Sequence, residues 1–376
     1  MNSLEQYKGS RHYRKIYEQI ETLGLVEHIN HLDEYGYAVI PPELVAPEEF
    51  QDRLRQAVLD VNERRTGQKI NLKDIETAKL SQDVPAEGHW GLLTEDPVFQ
   101  EMVMNPTVLA LGKYQCGNSA LLSDMLCILK HKDERFTHPL HTDQHGTPPP
   151  LPPYAQVSNV TWTLTDYKVG NGPVAIVPKS HLKGRYPLPE EGNFLREDAP
   201  VKPIPIEAPA GSLIVWDGRT WHGSYPRENE GLRMNVIVVF TRVYMKQIRD
   251  FRSTVPQELL DQYPVEFAHL IGANSMYPFR DGKPPETKEE NAYMMAAGYN
   301  AGPGRPESWM QRFGDPRRGG ADIVDWIEMI PFDETRNYVM RVAESVVVYR
   351  ARLGLDPHPV PFSEELAGNT LRSATD

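Results

Sequence analysis

The stretch GSLIVWDGRTWHGSYPRENEGLRMNVIVVFTRVY, residues 211–244, decides the fold class. It holds two apolar, β-branched runs, LIVW and MNVIVVF, separated by residues that turn the chain: Gly218, Gly223, Pro226 and Gly231. Runs of this length and composition bounded by turn residues read as strands, because branched side chains pack well on a pleated surface. No helical segment fits between them, so the pair reads as antiparallel.

Working outward, ALLSDMLCILKHK (120–132), VSNVTWTLTDY (157–167) and GPVAIVP (172–178) add further strand candidates. Proline and glycine punctuate the connections, at Gly172, Pro187, Pro189, Pro203 and Pro205 among others. Several strands joined by long connections predict an antiparallel barrel or sandwich at residues 120–245. The preceding portion, 1–119, reads as mainly helical. One helix is expected over 11–31, a short strand at GYAVI (36–40), a helix over 46–65 and another over 94–113. In the 46–65 segment Phe50, Leu54, Val58 and Val61 recur at helical spacing, and Glu48 and Glu49 suit the positive end of a helix. Residues 277–320 are rich in proline and glycine and read as loop, followed by a helix at 334–354. The chain is expected to form a single catalytic domain over 1–376, with 246–376 as a C-terminal extension serving as lid, interface or cladding. That extension also offers a route to a homodimer.

Composition narrows the function. The net charge of −12 argues against broad nucleic-acid binding, which relies on basic surfaces. The 40% hydrophobic content supports a sizeable core, and 33 prolines among 376 residues predict stiff loops around it. Cys116 and Cys127, the two cysteines, lie outside any CxxC motif and read as reduced thiols of a cytoplasmic protein. The first residues lack an apolar core of the signal-peptide kind, and no apolar run is long enough to span a membrane. The expected partner is a small-molecule substrate.

The chemistry gathers around HTDQH, residues 141–145. On a strand, residues two apart share a face, so His141 and Asp143 can offer an imidazole and a carboxylate to one ion. His-x-Asp alone is weak evidence. His222, set just beyond a strand and a turn, supplies a third ligand. Two histidines and a carboxylate form the facial triad of non-heme Fe(II) oxygenases, which leaves positions open for a bidentate cosubstrate and O2. When that cosubstrate is 2-oxoglutarate, its distal carboxylate needs a fixed cation. Arg233, eleven residues after His222, fits this need, and Ser224 can add a hydrogen bond.

These motifs resemble the phytanoyl-CoA dioxygenase family of Fe(II)/2-oxoglutarate-dependent oxygenases. The resemblance is carried by HTD at 141–143, TLTDYKVGNGPVAIVPKSH at 163–181, GSLIVWDGRTWHGSYP at 211–226 with Arg233, and the entry segment YGYAVIPPELVAPEEFQDRLRQAV. It implies a double-stranded β-helix, the cupin-like jelly roll: mainly β with flanking helices. It implies His141, Asp143 and His222 as iron ligands, Arg233 and Ser224 on 2-oxoglutarate, and Thr163 as a further cosubstrate contact. The Asn171-Gly172-Pro173 turn and His181 match family positions of structural character. Lys179 departs from the glycine more usual there, which puts the local turn in question. Relatives that halogenate replace the carboxylate by a small residue. Asp143 therefore implies hydroxylation or another oxidative outcome, with 2-oxoglutarate decarboxylated to succinate and CO2.

Substrate contacts are assigned to His145, Tyr154, Trp221, Gln144 and Lys130, which flank the motifs. Two alternatives stand beside this reading. One is a cupin-like metal enzyme that does not use 2-oxoglutarate, against which Arg233 and Ser224 argue. The other is a noncatalytic binding protein that kept the barrel, against which the intact triad argues. A small metabolite or natural product of secondary metabolism is the preferred substrate class.

Overall fold

The longest strands set the frame. In a computed structural model describing residues 13–81, 88–132, 137–144, 146–273, 292–301, 304–316 and 320–358, β3 (Leu121–Lys130) and β10 (Arg233–Thr241) pair antiparallel along their whole length. They belong to a six-stranded sheet in the order β1-β8-β5-β10-β3-β2. The other members are β1 (Tyr37–Ile40), β2 (His89–Trp90), β5 (Val157–Thr163) and β8 (Leu213–Asp217). A four-stranded sheet, β4-β9-β6-β7, lies against it, built from β4 (His138–His141), β6 (Val174–Ile176), β7 (Ile204–Pro205) and β9 (His222–Ser224). Every pairing is antiparallel.

Alternation of side chains sorts the core into layers. On β10, Val236, Val238 and Phe240 join Val160 and Trp162 of β5 in the large cluster beneath the helices. The odd-numbered partners turn the other way: Ile237 and Val239 meet Leu126, Ile128 and Val157. Between the sheets, Val174 and Ile176 pack on Ile214 and Trp216.

Helices cover the outer face of the large sheet. The expected helix over 11–31 is two helices, α1 (Arg14–Thr22) and α2 (Val26–Tyr35), because Gly24 takes φ 70 and breaks the run. The helix expected over 46–65 is α3 (Glu48–Thr66). The expected 94–113 helix is also two, α4 (Pro97–Val103) and α5 (Pro106–Cys116). Each begins with proline behind a capping residue: Asp96 accepts from Val98 N, and Asn105 from Thr107 N and Val108 N. An Asn-Pro pair inside an apolar run marks such a restart, since proline cannot continue a helix but suits its first turn.

Packing divides the chain at Ser275/Met276 into two compact units, and the segment 246–275 belongs with the barrel. The sequence boundary at 245/246 marked the end of the strands, whereas Phe251, Val255, Phe267, Leu270 and Ile271 continue the same core. The second unit has a core of its own, with Trp309, Ile323, Trp326, Ile330 and Val339. Its helices are α6 (Ala292–Ala301), α7 (Gly304–Phe313), α8 (Ile323–Glu328) and α9 (Asp333–Arg352). α6 and α7 correct the loop expected over 277–320. Glycine and proline density drew the eye there, yet Ala-, Met- and Gln-bearing stretches between those residues favour helix. No helix among the described residues is long and apolar enough to cross a membrane.

Candidate active site

β4 and β9 bring the three expected ligands together. In their register His141 stands directly opposite His222, and the two imidazole centroids lie 4.3 Å apart. Asp143 follows two residues later. Its Oδ1 is 3.8 Å from His141 Nε2 and its Oδ2 is 3.3 Å from His222 Nε2. One donor atom from each residue lies within 4.8 Å of the others, a spacing that a single ion with bonds of about 2 Å can bridge.

The donors are also prepared electronically. Both Nδ1 atoms are tied to backbone carbonyls two residues back: His141 to Pro139 O at 2.8 Å, and His222 to Thr220 O at 3.0 Å. Such bonds place the proton on Nδ1 and leave the Nε2 lone pair facing the ion, the usual arrangement for a metal-binding imidazole. His222 is buried, and burial pushes its imidazole down to about 4, so the ring is neutral at physiological pH. Asp143 Oδ2 accepts hydrogen bonds from Asn159 Nδ2 at 2.6 Å and Trp216 Nε1 at 3.3 Å. Asn159 and Trp216 are themselves direct partners across β5 and β8, so one rung of the large sheet holds the carboxylate from behind. These residues fit a single divalent ion: two imidazoles and one carboxylate, each oriented by a fixed partner, with no fourth protein ligand among the described residues.

The triad opens into a cavity of about 310 Å³ between the two sheets. One end is cationic. Arg233 and Lys130 line it together with Ser224, and Lys130 Nζ donates to Ser224 Oγ at 3.0 Å. Arg233 Nη1 donates to the Gly172 carbonyl at 3.0 Å, and its guanidinium lies 5.0 Å from the Tyr167 ring centroid. Away from that end the same sheet turns apolar, with Leu126 and Ile128 of β3, Ile237 and Val239 of β10, and Val157 of β5.

Of the residues assigned from sequence, the structure brings His141, Asp143, His222, Arg233, Ser224 and Lys130 to this cavity. It takes four others elsewhere. Thr163 Oγ1 donates to the carbonyls of Pro209 and Ser212 at 2.9 and 3.1 Å, so its hydroxyl secures a turn rather than a cosubstrate. Trp221 is fully buried between Lys183 and Arg185, and its indole N–H donates to the Arg185 carbonyl. Gln144, beyond the end of β4, is fully buried and is not among the residues lining the cavity. Tyr154 is exposed at the surface against Arg242. His145 lies outside the described residues. Sequence reasoning missed Asn159 and Trp216, whose contribution depends on two strands far apart in the chain.

The structural positions behave as expected. His181 is buried, with Nε2 3.2 Å from the Asp33 carbonyl. Lys179 takes φ 64, the left-handed conformation that favours glycine. Its backbone N–H donates to Tyr35 O at 2.8 Å, and its ammonium sits 4.7 Å over the Tyr35 ring. The turn keeps its form without glycine.

Comparison with known proteins agrees with this geometry. The family profile "Phytanoyl-CoA dioxygenase (PhyH)" matches residues 32–235, more than half of the chain. Dioxygenase af480 of Aspergillus fumigatus is 27% identical over 257 residues, covering 66% of this chain and 77% of that protein. Two solved structures are similar at low identity. HygX from Streptomyces hygroscopicus, with nickel and 2-oxoglutarate bound, is 17% identical with a TM-score of 0.45, over 59% of this chain and 89% of HygX. The carbocyclase SnoK from nogalamycin biosynthesis is 20% identical with a TM-score of 0.44, over 63% of this chain and 90% of SnoK. A separate, shorter match joins 86 residues to the soluble lytic murein transglycosylase of Escherichia coli (strain K12), at 40% identity; it spans 23% of this chain and 11% of that enzyme. With the family matched across the barrel, the chain belongs to the phytanoyl-CoA dioxygenase family and is a non-heme iron oxygenase that uses Fe(II), 2-oxoglutarate and O2.

Proposed function

We propose that this oxygenase hydroxylates a small, largely apolar organic molecule, a natural product or other metabolite. The observation that carries the reading is the polarity of the cavity into which the triad opens: cations at one end and an aliphatic surface away from it. His141 Nε2, Asp143 and His222 Nε2 would hold the iron. When bound, the iron with 2-oxoglutarate and O2 supplies a two-electron oxidation of the substrate coupled to release of succinate and CO2. The chain's own residues do the rest. Arg233 and Ser224 fix the distal carboxylate and so set the direction from which the cosubstrate reaches the metal. Leu126, Ile128, Val157, Ile237 and Val239 exclude water and favour a hydrocarbon face of the substrate, with burial contributing about 25 cal/mol per Å² of apolar surface. Asn159 and Trp216 hold the Asp143 carboxylate beside the two imidazoles, where it would ligate the iron. Retention of the Asp143 carboxylate supports hydroxylation over halogenation. The test is anaerobic reconstitution with Fe(II) and 2-oxoglutarate, then a metabolite screen with O2. Substrate-stimulated succinate and a product heavier by one oxygen atom support the reading. A screen dominated by loss of two hydrogens assigns desaturation or cyclisation instead.

A further inference from the structure

Two cations face each other at the cationic end of the cavity, with no carboxylate between them among the described residues. Lys130 closes β3, Arg233 opens β10, and they are direct partners in the antiparallel register. Directly opposed residues project to the same face, where like charges repel. Both are buried, Lys130 at 5% and Arg233 at 2% exposure. Every acceptor they reach is neutral: Ser224 Oγ and the Tyr225 carbonyl for Lys130, the Gly172 carbonyl for Arg233. Arg233 Nε has no partner at all. The Asn171-Gly172 turn is fitted to the pair, since a Cβ on Gly172 would stand 3.1 Å from Lys130 Cδ.

The groups that face Lys130 from the elements packed on it are Arg233 of β10, Ser224 and Tyr225 of β9, and Gly172 of the turn. His138 of β4 reaches the same Ser224 hydroxyl, its backbone N–H donating at 3.2 Å. Among the described residues, no acidic group offsets Lys130. Two adjacent buried charges of one sign, with no counter-ion, cost more than an interior tolerates. Arginine does not give up its proton, and lysine does. Lys130 is therefore the member that goes neutral in the empty site. Burial first, and Arg233 second, push it down to about 6. An entering carboxylate supplies the missing negative charge and reverses the balance.

Resting on the oxygenase reading of this cavity, we propose that Lys130 and Arg233 form a two-cation clamp for the distal carboxylate of the cosubstrate, and that Lys130 takes up a proton from solvent when the cosubstrate binds. Affinity then falls with rising pH, because the bound state holds a proton that the empty site has released. Across the range between the free and bound values, each pH unit weakens binding about tenfold. Below about pH 6 the empty site is already protonated and the dependence flattens.

The test is isothermal titration of the Fe(II)-loaded protein with 2-oxoglutarate under anaerobic conditions, in buffers of different ionisation enthalpy. Glutarate titrated into the metal-free protein reports the clamp without the metal. For the wild type, uptake of close to one proton per ligand at pH 7.5 and about tenfold weaker binding at pH 8 than at pH 7 are expected. Lys130→Met should bind at least tenfold more weakly at pH 7, with no proton uptake. Lys130→Arg, permanently charged, should keep measurable affinity and lose the pH dependence. PH-independent binding by the wild type, or proton uptake that survives in Lys130→Met, overturns the proposal. Binding of glutarate with proton uptake, but no binding of 2-oxoglutarate to the metal-loaded protein, would leave the clamp standing and remove the cosubstrate reading. Failure of both ligands to bind removes both.

Discussion

Asn159→Ala separates the positioning of the metal site from the ligands themselves. Asn159 touches Asp143 and is not a ligand; it donates one hydrogen bond of 2.6 Å to Oδ2. A hydrogen bond to a charged group contributes about 1.5–3 kcal/mol. Part of that is present in the empty site too, so only the difference between states reaches metal affinity. The other donor to that oxygen, Trp216 Nε1 at 3.3 Å, is longer and does not replace it. Loss of an outer partner of this kind lowers metal affinity about 10–100-fold, which corresponds to roughly 1.4–2.8 kcal/mol at 1.4 kcal/mol per tenfold. The assay is anaerobic titration with Fe(II), or with Co(II) as a spectroscopic substitute, alongside circular-dichroism melting to verify that the barrel is intact. Asn159 is 5% exposed, so a fall in stability of about 1–3 kcal/mol accompanies the change through the lost hydrogen bond to the carboxylate and the small void. A folded Asn159→Ala protein binding metal within twofold of the wild type would refute the reasoning. Asp143 would then keep its position without Asn159.

Gly223→Ala should cost both metal binding and stability, because its Cβ would stand 2.4 Å from the His138 carbonyl oxygen and force β4 from β9; a melting curve and the same titration read the two effects. Cys116 and Cys127 are buried, and burial pushes both thiols up to about 12, so the native protein at pH 8 should leave a thiol reagent unconsumed while two equivalents react after guanidinium unfolding. Trp221→Phe keeps an aromatic ring while removing the indole N–H bond to the Arg185 carbonyl and leaving a small void; the Michaelis constant of any substrate found in the screen should stay within twofold, whereas a tenfold rise would return this residue to the substrate site.

The grouping of His141, Asp143 and His222 was legible because its spacing rests on local rules. His141 and Asp143 sit two apart, and His222 follows a strand and a turn, so short-range patterns picked out all three. The burial of Arg233 was legible in the same way, from its first position in an apolar strand. Thr163 failed for a reason that alternation could not supply: its hydroxyl meets the carbonyls of residues 209 and 212, brought alongside by a long connection. Trp221 failed because adjacency to a ligand in sequence means the opposite face on a strand. Asn159 and Trp216 escaped notice because polar and aromatic residues in a central strand read first as core. What singles them out is a register between β5 and β8 that pairs them across more than fifty residues of chain. The helices at 292–301 and 304–313 were hidden by the glycines and prolines that bound them.

Three residues of β9 tie the proposed metal site to the proposed cosubstrate site. His222 and Ser224 are two apart and share the face that looks into the cavity. One strand therefore fixes the offset between the His222 imidazole and the hydroxyl at the cationic end. The residue between them has its side-chain position filled by the carbonyls of His138 and Pro139, so only glycine fits there. β4 can then approach closely enough for His141 to stand opposite His222 while His138 stands opposite Ser224. The irregularity between those two rungs lets β4 end at His141, so that Asp143 leaves the ladder and bends toward both imidazoles. A substitution at Gly223 should therefore disturb metal and dicarboxylate binding together, whereas Asn159→Ala acts on the first and Lys130→Met on the second. Titrating all three variants with metal and with glutarate separates the shared strand from the two sites it serves. If Gly223→Ala lost only one of the two ligands, the single-strand account would fail.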